Sequence, residues 1–410
     1  MINHTYSRIA CRPLLAQLLS LLLCTLGWTT AHAATTGPIR IAVMLPLNSA
    51  MSDVANSALI GAQVAVEEIN SVGGYLGRLL ELMVHDDQAN PDIGFREAQN
   101  IIQREGAVAT IGICNTSVAV RVEDYFQSNK HPLIISCATG SVIGSKTPPA
   151  QSYLFKLAIS TTAQAQFLIG ELQRSKSRKV AILADSSPYG DAGLRDLQTA
   201  MAKAGMKPRA VLRFNVGAKN VDREMQDLKA SGADTLLAWA IGPDQGTIAA
   251  ARAAANWQVP HYGGWDLSNS TAYINSNGKV EGAYMVQTVL PNRHLERNSA
   301  FMSAYAKHSR EHPMGSMMAA AQTYDAVQIL MRALFAVRGD FTGPAIKAAL
   351  EKPDNAYRGV ITTYDQPFSD TDHEALTPSM LWLGTWHNGE REYAHEEDEK
   401  RAAIIRYKGR

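Results

Sequence analysis

The sequence is poor in cysteine and has no excess of charge of either sign. It holds 4 cysteines in 410 residues, and its 39 Lys and Arg against 38 Asp and Glu give a formal net charge of +1. Nothing in this balance indicates a nucleic-acid partner. Two cysteines, Cys11 and Cys24, lie in an N-terminal segment that we expect to be removed, so only Cys114 and Cys137 remain in the mature chain.

The common sequence motifs of enzymes are also missing. There is no G-x-S-x-G elbow, no G-x-x-x-x-G-K-[ST] phosphate loop and no paired C-x-x-C. The segment from His308 to His312 has the H-x-x-E-H form of a zinc peptidase, but Pro313 follows at once and the segment is polar. We therefore expect no catalytic residue, no metal and no cofactor. An alternative function, that of an exported hydrolase, is supported by this weak histidine pair alone.

The first 33 residues have the pattern of a secretory signal peptide. Arg8 and Arg12 supply the positive end, Leu14 to Leu26 form the apolar run, and a small-x-small motif ends at Ala33. We expect cleavage before Ala34 and residence in the periplasm. Removal of this segment leaves 37 basic and 38 acidic side chains, a formal net charge of −1.

Two other interpretations of this segment are less favoured. The apolar run is shorter than the roughly 20 residues that a spanning helix needs, which disfavours a membrane anchor. Lipid attachment at Cys24 is disfavoured because the preceding Leu23 is larger than such sites usually accept. No later run of residues is long and apolar enough to cross a bilayer, so we expect a soluble mature protein.

The stretch from Gly61 to Asp87 sets the plan of the chain. Apolar residues from Leu59 to Ile69 recur at helical spacing, glycines between 73 and 77 reverse the chain, and residues from Leu80 to His85 alternate as in a strand. A helix that leads into a strand in this way is half of a βαβ unit.

The same alternation continues along the chain. Further strands are predicted at 39–44, 107–111, 132–135, 180–184, 210–214, 235–240, 259–262 and 283–288, with helices between them. This order predicts parallel sheets covered on both faces, in two α/β domains of similar build. After Glu296 the pattern is helical, with a long helix from Met317 to Val337 and two last strands near Val360 and Leu381.

Five loops follow the predicted strands at the edge where parallel sheets bind ligands. The Asn115–Ser117 and Ser136–Thr139 loops offer hydroxyl, amide and helix-start N–H groups without an adjacent cation, which suits a small carboxylate. Asp266 could pair with an ammonium group, and Tyr189 and Trp265 could cover an apolar part. Each Ser or Thr could instead be a plain helix N-cap. The five loops are 115–117, 136–139, 186–189, 241–244 and 265–266.

The two remaining cysteines each come just after an apolar strand. If these strands are neighbours, Cys114 and Cys137 could form a disulfide, which an exported location permits. Two small buried thiols in loops are an equally good interpretation.

Several blocks resemble the bacterial periplasmic leucine/isoleucine/valine-binding protein family, whose members are solute receptors of branched-chain amino-acid-type ABC transporters. The blocks are IRIAVMLPL, GAQVAVEEINSVGGYLGRLLELMVHDDQANPD, ATIGICNTS, PLIISCATG, VAILADSSPYGDAGL and TYDAVQIL, and they run from about Ile39 to Trp386. The resemblance implies a type I periplasmic binding protein fold, in which two similar doubly wound parallel-sheet lobes are joined by a three-strand hinge. It implies lobe one at 38–158 plus 288–367, lobe two at 159–287 plus 368–390, and a charged tail at 391–410.

The resemblance also implies which residues bind the ligand. The carboxylate-binding positions fall on Asn115, Thr116, Ser117, Ala138 and Thr139, the ammonium-binding acid on or next to Asp266, and the lobe-two aromatic positions on Tyr189 and near Ile241. This sequence departs from the family at Val54, where some members have tryptophan, and at Asn115, where they have serine.

The expected function is that of a monomeric substrate-binding protein of an ABC importer, with a small carboxylate or amide as ligand and a membrane permease as partner. The alternative is a periplasmic sensing domain that passes a signal to a partner receptor. Members of this family also carry amides, urea and aromatic or other carboxylates, so the resemblance, with these departures, does not single out leucine.

Overall fold

The computed structural model describes Met1 and residues 37–176, 179–310, 312–402, 404 and 408. The expected signal peptide therefore lies outside the described residues, apart from Met1. The described residues from Pro38 onward form one compact unit. Among the described residues, no helix combines the length and apolarity that a membrane span requires.

The first half of this unit alternates strand and helix as predicted. Its elements are β1 (Ile39–Leu45), α1 (Ser52–Ser71), β2 (Leu80–Asp86), α2 (Pro91–Asn100, continued by a π-helical turn Ile101–Glu105), β3 (Ala109–Gly112), α3 (Thr116–Ser128), β4 (Leu133–Ile135) and β5 (Leu154–Lys156). The five strands form a parallel sheet in the order β2-β1-β3-β4-β5. This sheet is the centre of lobe one.

The second series gives another sheet in the same way. Its elements are α4 (Thr161–Arg174), β6 (Val180–Asp185), α5 (Pro188–Lys203), β7 (Ala210–Phe214), α6 (Asp222–Ala230), β8 (Thr235–Trp239), α7 (Gly242–Ala254), β9 (His261–Gly263), a 3-10 turn (Trp265–Ser268), α8 (Ser270–Asn275) and β10 (Tyr284–Gln287). Strands β6 to β10 run parallel. This sheet is the centre of lobe two.

The remaining elements complete both lobes. They are α9 (Glu296–His308), α10 (Met317–Ala336), α11 (Gly343–Glu351), β11 (Tyr357–Arg358), β12 (Thr363–Tyr364), β13 (Trp382–His387), β14 (Glu390–Tyr393) and α12 (Glu396–Arg401). The strand predicted near Val360 is instead a small hairpin of β11 and β12, with Val360 in its turn. Strands β13 and β14 extend the second sheet to the order β14-β13-β10-β9-β8-β6-β7, and both pair antiparallel.

Helices α1 and α10 pack closely side by side against the lobe-one sheet. A Cβ atom at Gly61 would lie 2.1 Å from the carbonyl oxygen of Ala320, so only glycine allows this approach. The glycine turn after α1 has positive φ at Gly73, Gly74 and Gly77, which explains why three glycines stand there. The parallel course of both helices brings the starts of α1 and α10 to the same end of the lobe.

The chain crosses between the lobes three times, after β5, after β10 and before β13. Two of these crossings are joined by backbone hydrogen bonds, in which Lys156 N donates to His373 O (2.8 Å) and Ala375 N donates to Lys156 O (2.8 Å). Strand β14 begins at Glu390, so the expected limit between lobe two and the charged tail, 390/391, falls inside a strand.

Candidate ligand-binding site

A cavity of about 350 Å³ lies between the two lobes. Every lining residue follows the carboxyl end of a strand, in the loops and helix starts after β1 to β4 in lobe one and β6 to β9 in lobe two, as the rule for parallel sheets predicts. The lining residues are Ala50, Met51, Ala89, Cys114, Asn115, Thr116, Ser117, Thr139, Ser186, Ser187, Pro188, Tyr189, Val216, Ile241, Trp265 and Asp266.

This cavity contains seven of the eight residues that the sequence suggested for the site. They are Asn115, Thr116, Ser117, Thr139, Tyr189, Ile241 and Asp266. Ala138 does not line it, because its side chain is buried in the lobe-one core while its N–H donates to Ile113 O (2.8 Å). A second cavity, of about 530 Å³, lies between α10 and α11 and is lined by none of these residues. We place the site in the smaller cavity, where strand ends and helix starts converge.

The lobe-one wall is held by a disulfide between Cys114 and Cys137. Strands β3 and β4 are parallel neighbours, so the residues just beyond their ends meet with a Cα–Cα distance of 4.5 Å. Of the two interpretations of this cysteine pair, the structure has the disulfide. It fixes the Asn115–Ser117 and Ser136–Thr139 loops next to each other at the edge of the cavity.

Asn115 is the N-cap of α3. Its Oδ1 accepts from the backbone N–H of Ser117 (2.9 Å), while its Nδ2 donates to Met51 Sδ (3.7 Å). The alternative role, that of a plain helix N-cap, therefore applies to the side-chain oxygen of Asn115. Only the amide nitrogen, held by a weak sulfur acceptor, can turn toward a ligand.

Thr139 is contacted from the opposite lobe. The indole Nε1 of Trp265 donates to Thr139 Oγ1 (3.2 Å), and the backbone N–H of Trp265 donates to Gln164 Oε1 (3.0 Å). Because the indole uses an acceptor position of the hydroxyl, the hydroxyl proton of Thr139 stays available to donate to a ligand. Trp265 thus positions Thr139, a role that the loop sequence alone did not reveal.

The lobe-two wall is organised by Asp185, the last residue of β6. This fully buried carboxylate accepts from Ser187 N (2.9 Å) and from Ile241 N (2.9 Å), so it ties the loop after β6 to the loop after β8. Burial raises the pKa of Asp185, while these hydrogen bonds oppose the rise. The role of Asp185 could not be predicted from the sequence, because it depends on two loops that are 56 residues apart.

Tyr189 stands at the start of α5 with its ring packed against Trp239 (5.8 Å between centroids). Glycine is required beneath these rings, since a Cβ at Gly193 would lie 2.1 Å from the Trp239 indole and one at Gly264 would lie 2.9 Å from Tyr189 Oη. The hydroxyl is buried beside Asp266 and Thr139 but makes no hydrogen bond with complete distance and angle. Burial, and then the charge of Asp266, raise the pKa of Tyr189.

Asp266 is 3% exposed and accepts from Asn269 Nδ2 (2.9 Å). Burial raises its pKa to about 8, and the nearby carboxylates of Asp185 and Asp53 add to the rise. Asp266 is therefore mostly protonated at pH 7.

The apolar part of the cavity comes partly from residues that the sequence did not suggest. Ala50, Met51, Ala89 and Val216 join Ile241 along the walls. Val54, the position where some similar proteins have tryptophan, is instead buried in the lobe-one core. No periodic or compositional signal marks these loop residues, since only the approach of the two lobes brings them together.

The histidine pair does not form a helical metal motif. Helix α9 ends at His308, whose Nε2 contacts Glu67 Oε2 (2.6 Å), and His312 lies beyond the helix. Across the part of the chain that the structure describes, no group of three or more His, Cys, Asp or Glu residues is arranged to hold a metal ion. The intervening Glu311 lies outside the described residues.

Comparison with protein families matches residues 38–390 to the family model described as periplasmic binding protein. The chain belongs to this family. Among curated proteins it is 26% identical to Leu/Ile/Val-binding protein homolog 3 of Brucella melitensis over 285 residues, which cover 69% of this chain and 75% of that protein. It is 22% identical to a leucine-, isoleucine-, valine-, threonine-, and alanine-binding protein of Pseudomonas aeruginosa over 308 residues, 74% of this chain and 80% of that one.

Solved structures share the fold. A periplasmic binding protein type 1 from Bordetella pertussis superimposes with a TM-score of 0.77 at 22% identity, covering 87% of this chain and 99% of that one. A branched-chain amino acid transporter substrate-binding protein from Streptococcus pneumoniae, in complex with isoleucine, superimposes with a TM-score of 0.75 at 20% identity, covering 87% of this chain and 98% of that one. An ABC-transporter solute-binding protein from R. palustris, in complex with benzoate, superimposes with a TM-score of 0.76 at 16% identity, covering 87% of this chain and 96% of that one. The two-lobed type I fold is thereby confirmed.

Proposed function

We propose that this protein is the periplasmic substrate-binding protein of an ABC importer, and that it binds a small carboxylate-bearing solute, an amino acid or a related acid or amide, in the cleft between its lobes. The observation that carries the proposal is the convergence of uncharged donors from lobe one with Tyr189 and Asp266 from lobe two in one cavity. Members of the family bind small solutes, and the ligands bound in similar structures include isoleucine and benzoate.

The carboxylate of the solute is assigned to the lobe-one wall. The hydroxyl of Thr139, the side chain of Thr116 and the N–H groups at the start of α3 that Asn115 does not cap supply hydrogen-bond donors there. The hydroxyl and the N–H of Ser117 already donate to Asn115 Oδ1. No Lys, Arg or His lines the cavity, so neutral donors carry the whole interaction with the anion. Such donors favour a single carboxylate over a dianion.

The rest of the solute is assigned to the lobe-two wall. Tyr189, Ile241 and Val216 contact an apolar body, and Asp266 pairs with an ammonium group when the solute has one. The unpaired hydroxyl of Tyr189 gains a partner in the same event. Solute bound to both walls then favours the closed arrangement of the lobes, which is the form presented to the permease.

The cellular side of the proposal follows from the sequence and the family. Residues 1–33 act as a cleavable signal, and the mature protein works in the periplasm with a membrane permease as partner. The lobe limits, 38–158 plus 288–367 and 159–287 plus 368–390, belong to the same proposal, with strand β14 extending lobe two to Tyr393. Mass spectrometry of protein recovered from the periplasm tests the first part, with a mature N-terminus at Ala34 expected.

A thermal-shift screen against amino acids, amides, and aliphatic and aromatic acids tests the solute class. A ligand at 100 times its dissociation constant should stabilise the protein by about 2.7 kcal/mol. The matched variant Thr139→Val removes the donor and keeps the shape of the side chain, so it should lose about 1.5–3 kcal/mol of carboxylate binding. A screen in which no carboxylate stabilises the protein would contradict the proposal.

A further inference from the structure

We propose that Asp53 is the centre of an inter-lobe latch, built beside the solute cavity and separate from it, that holds the lobes closed and slows solute release. The latch consists of Asp53 and Gly315 in lobe one and Ser270, Thr271 and Arg391 in lobe two. Its effect on solute release rests on the proposed function, but its effect on lobe closure does not.

Asp53 joins the starts of two helices that belong to different lobes. It is the second residue of α1 in lobe one, and its Oδ1 accepts from the N–H of Val54 (2.8 Å). Its Oδ2 accepts from Ser270 Oγ (2.8 Å) and from Thr271 N (3.2 Å) at the start of α8 in lobe two. One carboxylate therefore bridges the two lobes with charge-assisted hydrogen bonds.

A backbone contact lies directly beside this bridge. The N–H of Ser270 donates to Gly315 O (2.9 Å), and Gly315 precedes α10 of lobe one. Ser57 of α1 fixes this loop, because its Oγ accepts from Gly315 N (3.0 Å) and Ser316 N (3.1 Å). A Cβ atom at Gly315 would lie 2.7 Å from the Cβ of Asp53, so the loop can pack here only with glycine.

Arg391 completes the latch from strand β14. Its Nε donates to Ser268 O (2.6 Å) in lobe two and its Nη2 donates to Gly315 O (3.1 Å) in lobe one, while the guanidinium lies 4.8 Å from the centroid of the Trp386 ring. The side chain is thus held within its own lobe and reaches across to the other.

The latch and the solute cavity are adjacent but do not share residues. None of the five latch residues lines the cavity, yet Met51 and Asp266, which do, stand close to Asp53 and Ser270 in the chain. Movement of the lobes that brings the cavity walls together therefore also brings the latch together, and the latch bonds break when the lobes separate.

The consequence is a change in the balance between closed and open forms. Apparent affinity for a solute scales with the fraction of protein in the form that binds it, and the bonds of the latch raise the closed fraction. A solute held in a latched cleft also leaves only after the latch opens, so the latch lowers the dissociation rate.

The experiment compares Asp53→Ala with the parent and with a matched control, Asp92→Ala. Asp92 also stands at the start of a lobe-one helix, but its side chain is 87% exposed and its ion-pair contact is Arg121 of the same lobe (3.6 Å). Small-angle X-ray scattering without added solute should show a larger radius of gyration for Asp53→Ala than for the parent, with the control unchanged.

The second readout uses an acid without an amine identified by the thermal-shift screen, because the charge of Asp53 also acts on Asp266, which pairs only with an ammonium group. Stopped-flow measurement should show solute leaving Asp53→Ala about tenfold faster, as expected from the loss of bonds to a charged group, with the control equal to the parent. Ser270→Ala removes one of the bonds at a half-buried position and should give a smaller change in the same direction. Ser270→Ala therefore still tests the latch if Asp53→Ala does not fold.

Equal scattering profiles of parent, Asp53→Ala and Ser270→Ala would overturn the latch, as would equal dissociation rates. The scattering comparison needs no solute, so it tests the latch even if every solute fails and the proposed function falls. Solute binding with unchanged rates in the variants would refute the latch and leave the proposed function in place.

Discussion

The lobe-one wall of the cleft presents uncharged donors on loops joined by a disulfide, whereas the lobe-two wall presents a buried acid and two aromatic rings. The first wall depends on the Cys114–Cys137 bridge and on the N-cap of α3. The second depends on Asp185, which ties two loops, and on Asp266, whose pKa is raised to about 8 by burial. No lobe-one residue that lines the cavity has a side chain that titrates near neutrality, whereas Asp266 on the lobe-two wall does. We therefore expect the lobe-two wall to be the one that responds to pH and to the charge of the solute.

The largest expected effect is a loss of stability when the disulfide of lobe one is removed. Replacing both Cys114 and Cys137 by serine should lower the free energy of unfolding by about 3 kcal/mol, because the unfolded chain regains the freedom of a loop closed over 23 residues. Urea denaturation measures this loss. Reductant should destabilise the parent by a similar amount and leave the double-serine variant unchanged, and equal stability of parent and variant would contradict the account of this wall.

Removing the charge of lobe two gives the next largest effect. Asp266→Asn should weaken the binding of α-amino acids by about 2 kcal/mol, because the ammonium loses a buried anionic partner, and should leave acids without an amine almost unaffected. Asp244→Asn is the matched control, since Asp244 is a buried acid of the same lobe that does not line the cavity. Calorimetry that finds the same amino-acid affinity in Asp266→Asn and the parent would remove Asp266 from the ammonium site.

The pH dependence of solute binding tests the same difference between the two walls. In the proposed assignment, Asp266 is protonated at pH 7 in the solute-free protein and binds an ammonium as the anion, so binding should release close to one proton. The association constant of an α-amino acid should rise between about pH 6 and pH 8, by at most tenfold per unit, whereas that of an acid without an amine should stay level. Calorimetry in buffers of different protonation enthalpy counts the protons, and amino-acid binding that is independent of pH would contradict the assignment.

The raised pKa of Asp266 has the matching effect on stability. Between its ordinary value of 3.8 and about 8 the folded protein binds the proton more tightly than the unfolded chain does. Its contribution to stability is therefore complete below 3.8 and is lost as the pH rises through about 8. Asp266→Asn should remove this part of the pH dependence.

The smallest effect is expected at Tyr189, and Tyr364, another buried tyrosine, serves as its comparison. Tyr189→Phe removes a hydroxyl without a complete hydrogen bond, so the stability of the solute-free protein should change by less than about 1 kcal/mol. Tyr364→Phe removes a hydroxyl that donates to Asp325 Oδ2 (3.0 Å) and should cost about 1–3 kcal/mol. Chemical denaturation of both variants checks the difference, and a larger loss in Tyr189→Phe would show that its hydroxyl is already bonded.

Much of the fold follows from local patterns in the sequence. Helix α1, the glycine turn and β2 are encoded by a change from helical to alternating spacing, and the same signals recur in both lobes. The antiparallel course of β13 and β14 could not be predicted, because direction within a sheet depends on the path of the chain after the third crossing.

The residues of the candidate site could be predicted where a single loop both follows the end of a strand and carries a polar or aromatic side chain. Asn115 to Ser117 and Thr139 follow strand ends, and Asp266 and Tyr189 are polar or aromatic at such positions. Asp185 and Trp265 were harder to assign, since the first acts through Ile241 of another loop and the second through Thr139 of the other lobe. Contacts between lobes, as at Asp53 and Ser270, leave no periodic trace in a single sequence.

A crystal structure with a carboxylate found in the thermal-shift screen tests the central claim most directly. The account predicts the carboxylate oxygens within hydrogen-bonding distance of Thr139 Oγ1 and the first N–H groups of α3, with the apolar body against Tyr189. A solute bound in the larger cavity between α10 and α11, or one whose carboxylate faces Asp266, would contradict it.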